Sequence, residues 1–124
     1  MNVVDSAGWL EYFIGGENAD FFAKAIETPE SVVVPTISLY EVFKRVLIEK
    51  NRADALEAVA LMKEGQVVAL DDNLALVAAE LSFKLKLPMV DSIILATARA
   101  FEATLWTQDA HFKDLTDVEY IEKR

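Results

Sequence analysis

The chain has 124 residues and a formal net charge of −9, from 21 acidic and 12 basic side chains, and 53% of its residues are hydrophobic. That length suits one hydrophobic core, so a single domain over residues 1–124 is expected. The charge argues against a free-standing phosphate-binding clamp, because affinity for a phosphate backbone comes mainly from Lys and Arg releasing counterions. A phosphate-bearing substrate would need a bound cation or a local basic patch. There is no cysteine, which rules out disulfides and zinc–thiolate sites and agrees with a reducing, cytoplasmic setting. The N-terminus carries no basic leader and Asp5 interrupts its apolar run, so neither a signal peptide nor a membrane span is expected.

Short β-branched runs alternate with segments of helical period, the pattern of an α/β fold in which helices cover both faces of a parallel sheet. Asn2–Val4 is the first expected strand, and it leads into a helix over Ser6–Phe13 that Gly15–Gly16 closes. A helix over about Asn18–Glu27 follows, then a strand over Ser31–Val34 that Pro35 stops. Leu39, Val42, Phe43, Val46 and Leu47 mark a helix ending near Lys50. The next helix covers about Arg52–Lys63, with Gly65 read as its left-handed cap, and Val67–Leu70 is the third strand. Leu74, Val77, Ala78, Leu81 and Leu85 form the stripe of another helix, which Pro88 separates from one over Ser92–Phe101. Thr104–Thr107 is the fourth strand, Ala110–Leu115 a short helical turn, and Val118–Ile121 a last strand at the sheet edge. Trp9, Phe13, Phe43 and Phe101 lie on helical stripes and are read as core.

Three acids follow strands. Asp5 follows the first, Glu41 follows the second by way of a short loop, and Asp109 follows the fourth, while Asp91 opens the helix after Pro88. Strands of a parallel sheet end on one edge, and ligands bind outside those ends where strand order reverses, so the four acids can converge there. Taken singly, each is accounted for by helix capping, and Ser38 with Glu41 even fits a capping box. Capping does not require the acids to share one small volume. Carboxylates that do share one repel each other unless a cation compensates, and a hard dication such as Mg²⁺ or Mn²⁺ takes oxygen ligands of this kind.

The remaining polar residues carry simpler readings. Asp71 and Asp72 look like an N-cap and its neighbour, and Glu11, Glu17, Glu57 and Glu80 like solvated faces. Lys44 and Arg45 either pair with Glu41 one turn earlier or touch a substrate phosphate. His111, the only histidine, reads as solvated, which leaves no His-based nucleophile relay.

Four segments carry a family resemblance: Val4-Asp5-Ser6, Ser38-Leu39-Tyr40-Glu41-Val42, Val90-Asp91-Ser92-Ile93-Ile94-Leu95-Ala96-Thr97-Ala98, and Thr107-Gln108-Asp109-Ala110-His111-Phe112. In that order and spacing the chain resembles the PIN-domain nucleases, especially the short VapC-type toxins of toxin–antitoxin pairs. The resemblance implies a three-layer α/β/α fold around a central, mainly parallel sheet of four to five strands. It implies that Asp5, Glu41, Asp91 and Asp109 bind Mg²⁺ or Mn²⁺, with Ser6 and Thr107 matching supporting hydroxyls. It further implies endoribonuclease activity that leaves a 5′-phosphate and a 3′-hydroxyl, a homodimer, and an antitoxin whose tail occupies the active-site groove. Some family members carry a further acid where this chain has His111.

Two other readings stand beside this one. A receiver-type phosphoacceptor domain is also a small acidic α/β protein, but it needs a second acid after the first strand and a Lys after the last. Here Asp5 is followed by Ser6-Ala7, and only Lys123 lies beyond the final strand. The other is a catalytically inactive PIN-like binding module, for which the presence of all four acids gives no support.

Overall fold

Successive side chains of a strand point to opposite faces, and Val3 and Val4 are both 0% exposed. The first strand is therefore covered on both sides, as the central strand of a three-layer structure must be. The computed structural model describes residues 1–124. Its strands are β1 (Asn2–Val4), β2 (Val33–Pro35), β3 (Gln66–Val68), β4 (Thr104–Thr107) and β5 (Val118–Tyr120). The helices are α1 (Ser6–Ile14), α2 (Ala19–Ile26), α3 (Thr36–Glu49), α4 (Arg52–Met62), α5 (Asp72–Leu85) and α6 (Met89–Ala100), and short 3-10 turns cover Pro29–Ser31 and Ala110–Phe112.

Every strand pairing is parallel. β1 pairs with β4 and β4 with β5, β2 pairs with β3, and a parallel bridge between Asn2 and Val32 joins the two groups in the order β3-β2-β1-β4-β5. Val4, Val32 and Val34 face one core with Trp9, Phe22, Val42 and Met62, which belong to α1 through α4. Val3, Val33 and Leu105 face another with Ile94, Leu95 and Ala98 of α6. The α/β architecture expected from the alternating runs is thus present, with four helices against one face and α5 and α6 toward the other. No helix is long and apolar enough to cross a membrane.

Several expected boundaries move, and two of the shifts bear on the site. α3 begins at Thr36 directly after β2, with Pro35 as both last strand residue and N-cap, so no loop intervenes and Ser38 is interior rather than a cap. The capping box expected around Glu41 does not exist. α6 begins at Met89 with Pro88 as its cap, three residues before the expected start, so Asp91 lies inside the first turn. Gly15 closes α1 in the left-handed conformation at φ 66°, as expected. Gly65 does not have a positive φ. Its role is close approach, since a Cβ there would lie 2.9 Å from the Val32 carbonyl oxygen.

Gly8 has a similar role near the site. A Cβ at this position would come 2.6 Å from the Phe22 ring and 2.7 Å from Val4 Cγ1. Only a residue without a side chain lets α1 lie this close to α2 and β1, and α1 carries the backbone N–H that holds Asp5.

Candidate metal centre

β1 and β4 are neighbours, while the chain leaves β1 for β2 on the other side, so strand order reverses between β1 and β4. Ligand sites of open parallel sheets form outside the carboxyl ends of strands at such a point. Asp5 immediately follows β1 and Asp109 lies two residues beyond β4.

One run of hydrogen bonds ties these ends together. Asp5, 4% exposed, accepts the Gly8 N–H at 2.8 Å through Oδ1 and the Thr107 hydroxyl at 2.5 Å through Oδ2. Thr107 Oγ1 accepts the Asp109 N–H at 2.9 Å, and Asp109 Oδ1 accepts the His111 N–H at 2.9 Å. The His111 ring nitrogen Nδ1 then lies 2.9 Å from Asp91 Oδ2 and 3.1 Å from Asp109 Oδ1. Asp91, Asp109 and His111 each offer one ligand atom, all within 4.8 Å of one another.

Capping accounts for part of this and leaves the rest. Asp5 caps α1 and Asp109 caps the Ala110–Phe112 turn. Asp91 is no cap, since Pro88 holds that place, and Glu41 lies within α3. Asp5, Glu41, Asp91 and Asp109 all line one cleft of about 720 Å³, together with Ser6, Lys44 and Arg45. Glu41 and Asp5 are not among the three groups with ligand atoms inside 4.8 Å. Arg45 pairs with Glu49 at 3.3 Å and Lys44 lies over the Tyr40 ring, so neither takes up the pairing with Glu41 weighed from the sequence.

His111 departs most from the sequence reading. It is not merely solvated, because its ring bridges two carboxylates that are 18 positions apart in the chain. The available signal was its place two residues after a capping Asp, within a turn that the cap orients. Glu11 also departs from a solvated reading, since it accepts the Asn18 N–H at 3.0 Å. Asp71 caps α5 by accepting the Leu74 N–H, as expected.

The electrostatics are those of a cluster short of positive charge. Burial pushes the Asp5 carboxyl up to about 7 against the lowering effect of its Thr107 and Gly8 hydrogen bonds, and the charges of Asp109 and Asp91 push the same way. Burial also raises Asp91, which the His111 hydrogen bond partly offsets. His111 is raised, first by its hydrogen bond to Asp91. The Lys and Arg ion pairs of the chain are Arg45–Glu49 and Lys84–Glu80, so no fixed cation pairs with Asp5, Asp91 or Asp109.

These shifts act on stability in one direction. A group with a folded pKa above its unfolded value holds its proton more tightly when folded, so stability falls as pH rises between the two values. For Asp5 that window runs from 3.8 to about 7. Asp91 adds to the fall in the acid range, and His111 extends it above 6.5. The Asp5 shift alone corresponds to a loss on the order of 4 kcal/mol across its window. In EDTA the melting temperature is therefore expected to drop by on the order of 10 °C between about pH 5 and about pH 8, and saturating Mn²⁺ to remove most of that drop. A melting temperature in EDTA that stays level over this range would contradict the electrostatic account.

The donor set fits a divalent cation. It offers carboxylate oxygens and one imidazole nitrogen and no thiol, and the Ser6 hydroxyl on the cleft wall is buried without a hydrogen-bond partner.

A parallel α/β sheet with carboxylates gathered where its strand order reverses defines a class of ligand-binding folds. Within that class, residues 3–118 match the family model of the PIN domain, and the chain belongs to the PIN-domain family. No curated protein sequence matches the chain. Among solved structures it is similar to a toxin–antitoxin complex from Klebsiella pneumoniae, with 21% identity, a TM-score of 0.80 and 96% of each chain covered. It is also similar to VapC20 of Mycobacterium tuberculosis, described as a sarcin–ricin loop cleaving toxin, with 16% identity, a TM-score of 0.77, and 94% of this chain and 95% of that one covered. A third is VapBC2 of Rickettsia felis bound to a promoter DNA fragment, with 14% identity, a TM-score of 0.73, and 98% of this chain and 97% of that one covered. Membership in this family removes the receiver-type reading.

Proposed function

We propose that the protein is a Mg²⁺- or Mn²⁺-dependent endoribonuclease and the toxin of a toxin–antitoxin pair. The observation that carries this reading is the gathering of Asp5, Asp91 and Asp109 at one sheet edge, on a cleft that also holds Glu41, with no Lys or Arg paired to them. Asp5, Asp91 and Asp109 would hold the cation, with Glu41 reaching it from the opposite helix. When bound, the cation would supply a water of lowered pKa and neutralise charge on the scissile phosphate.

The protein's own groups have separate tasks. The Thr107 hydroxyl and the Gly8 N–H fix the orientation of the Asp5 carboxylate, and Thr107 fixes the Asp109 backbone as well. Lys44 and Arg45 line the same cleft and give an RNA backbone its nearest positive side chains on a chain of net charge −9. The similar structures from toxin–antitoxin systems support the assignment to a toxin. Apolar surface supports a homodimer and an antitoxin partner: exposed Leu76 and Phe83 on α5 and Met89 at the start of α6, and a groove between α1, α3 and α4 lined by exposed Ile14 and the half-buried Leu10, Phe13 and Val46.

Cleavage of a labelled structured RNA is expected with Mn²⁺ and not with EDTA. Glu41→Gln is expected to lower cleavage by about 10- to 100-fold. It should leave folding stability within about 0.5 kcal/mol, because Glu41 makes no hydrogen bond or ion pair. Absence of cleavage with Mn²⁺ would favour an inactive PIN-like binding module, whereas cleavage that persists in EDTA would contradict the metal dependence, and cleavage unchanged in Glu41→Gln would remove Glu41 from the site.

A further inference from the structure

We infer that His111 is a direct ligand of the bound ion and biases the site toward Mn²⁺ and other first-row transition metals over Mg²⁺. This rests on the metal-dependent reading above and deepens it. Donor atoms on adjacent corners of an octahedron with bonds of about 2.1 Å lie about 3 Å apart. His111 Nδ1 already stands 2.9 Å from Asp91 Oδ2 and 3.1 Å from Asp109 Oδ1, so the three atoms have the mutual spacing of ligands.

The ring is delivered there by the fold. The His111 N–H donates to Asp109 Oδ1, and the adjacent Phe112 is fully buried, which anchors the turn from both sides. The ring itself is 54% exposed. Contacts to Asp91 and Asp109, not core packing, hold the ring in the metal-free protein, and the open side leaves room for an ion and its remaining ligands. Mg²⁺ is a hard ion that prefers an all-oxygen set and keeps several waters. An imidazole nitrogen suits softer divalent ions, and affinity for such a site rises along the first transition row. A carboxylate at position 111 would instead give an all-oxygen site.

The test uses the full-length chain loaded with Mn²⁺ and read by pulsed EPR, which detects nitrogen bonded to the ion. His111 is the only histidine, so an imidazole ¹⁴N coupling has a single source. Coupling is expected in the wild type and is expected to vanish in His111→Ala. In metal-binding titrations His111→Asp is expected to reduce the preference for Mn²⁺ over Mg²⁺ by about tenfold or more. Bound Mn²⁺ without nitrogen coupling, or an unchanged preference in His111→Asp, would overturn the inference while leaving the metal-dependent reading intact. Failure of the wild type to bind Mn²⁺ at all would overturn both.

Discussion

Asp5→Asn is expected to abolish RNA cleavage and at the same time to stabilise the metal-free protein. The carboxylate is buried beside Asp91 and Asp109, with nothing but two hydrogen bonds to support its charge. Removing that charge relieves the desolvation that pushes its pKa up to about 7. Asn retains the cap to the Gly8 N–H, and its amide can donate to Thr107 Oγ1, which can accept two hydrogen bonds. At about pH 8 in EDTA the variant is expected to gain about 1–3 kcal/mol, read by chemical denaturation, and to lose the pH dependence that Asp5 imposes. Cleavage is expected to fall by about 100-fold or more, since a ligand and a unit of negative charge are both lost. A variant that is less stable than the wild type in EDTA, or that still cleaves RNA, would contradict the assignment. Such an opposition between stability and activity marks a charge kept for its chemistry rather than for the fold.

Thr107→Val is expected to have the opposite effect on stability. The Thr107 side chain is fully buried, donates to Asp5 Oδ2 and accepts from the Asp109 N–H. Valine fills nearly the same space but leaves an acceptor and a donor without partners, each at about 1–3 kcal/mol where burial is complete. Because Asp109 is only partly buried, a total loss of about 2–4 kcal/mol is expected. Cleavage is expected to fall by about 10- to 100-fold as the Asp5 and Asp109 carboxylates lose their fixed orientation. Thr107→Ser keeps the hydroxyl and should recover most of both. Equal losses in the valine and serine variants would show that the methyl group, not the hydroxyl, matters.

Much of the architecture was legible because strand and helix periods differ. The β4 bounds agree with the expected Thr104–Thr107, and β1 ends where Asp5 begins. Placing Asp5 and Asp109 at the same sheet edge followed from those bounds, whereas the pairing of β1 with β4 came only from the structure. Helix starts without a side-chain cap were harder to locate. α3 and α6 begin after Pro35 and Pro88, which have no side-chain oxygen to announce them, so apparent caps further along misplaced Ser38, Glu41 and Asp91. Gly65 illustrates another ambiguity, because glycine serves a left-handed turn or a close approach equally well and only the packing against Val32 distinguishes them.

The site was less legible than the fold. Asp91 and His111 meet because α6 packs against β1, β2 and β4, a tertiary fact with no trace in local spacing. Arg45 lies within one turn of both Glu41 and Glu49, and the structure resolves that choice in favour of Glu49. Trp9 is buried as expected, while Phe13, Phe43 and Phe101 are only partly so, and Phe101 is the C-cap of α6 rather than a member of its stripe.

In the proposed function Asp5, Asp91 and Asp109 hold a divalent cation between them. Calorimetric titration of the metal-free protein with Mn²⁺ would measure that binding, with Asp91→Asn as the comparison, since Asp91 caps no helix. Saturable binding to the wild type is expected, which Asp91→Asn weakens by about 100-fold or more while its circular dichroism spectrum is unchanged. Absence of saturable binding, or equal affinity in the two proteins, would contradict it.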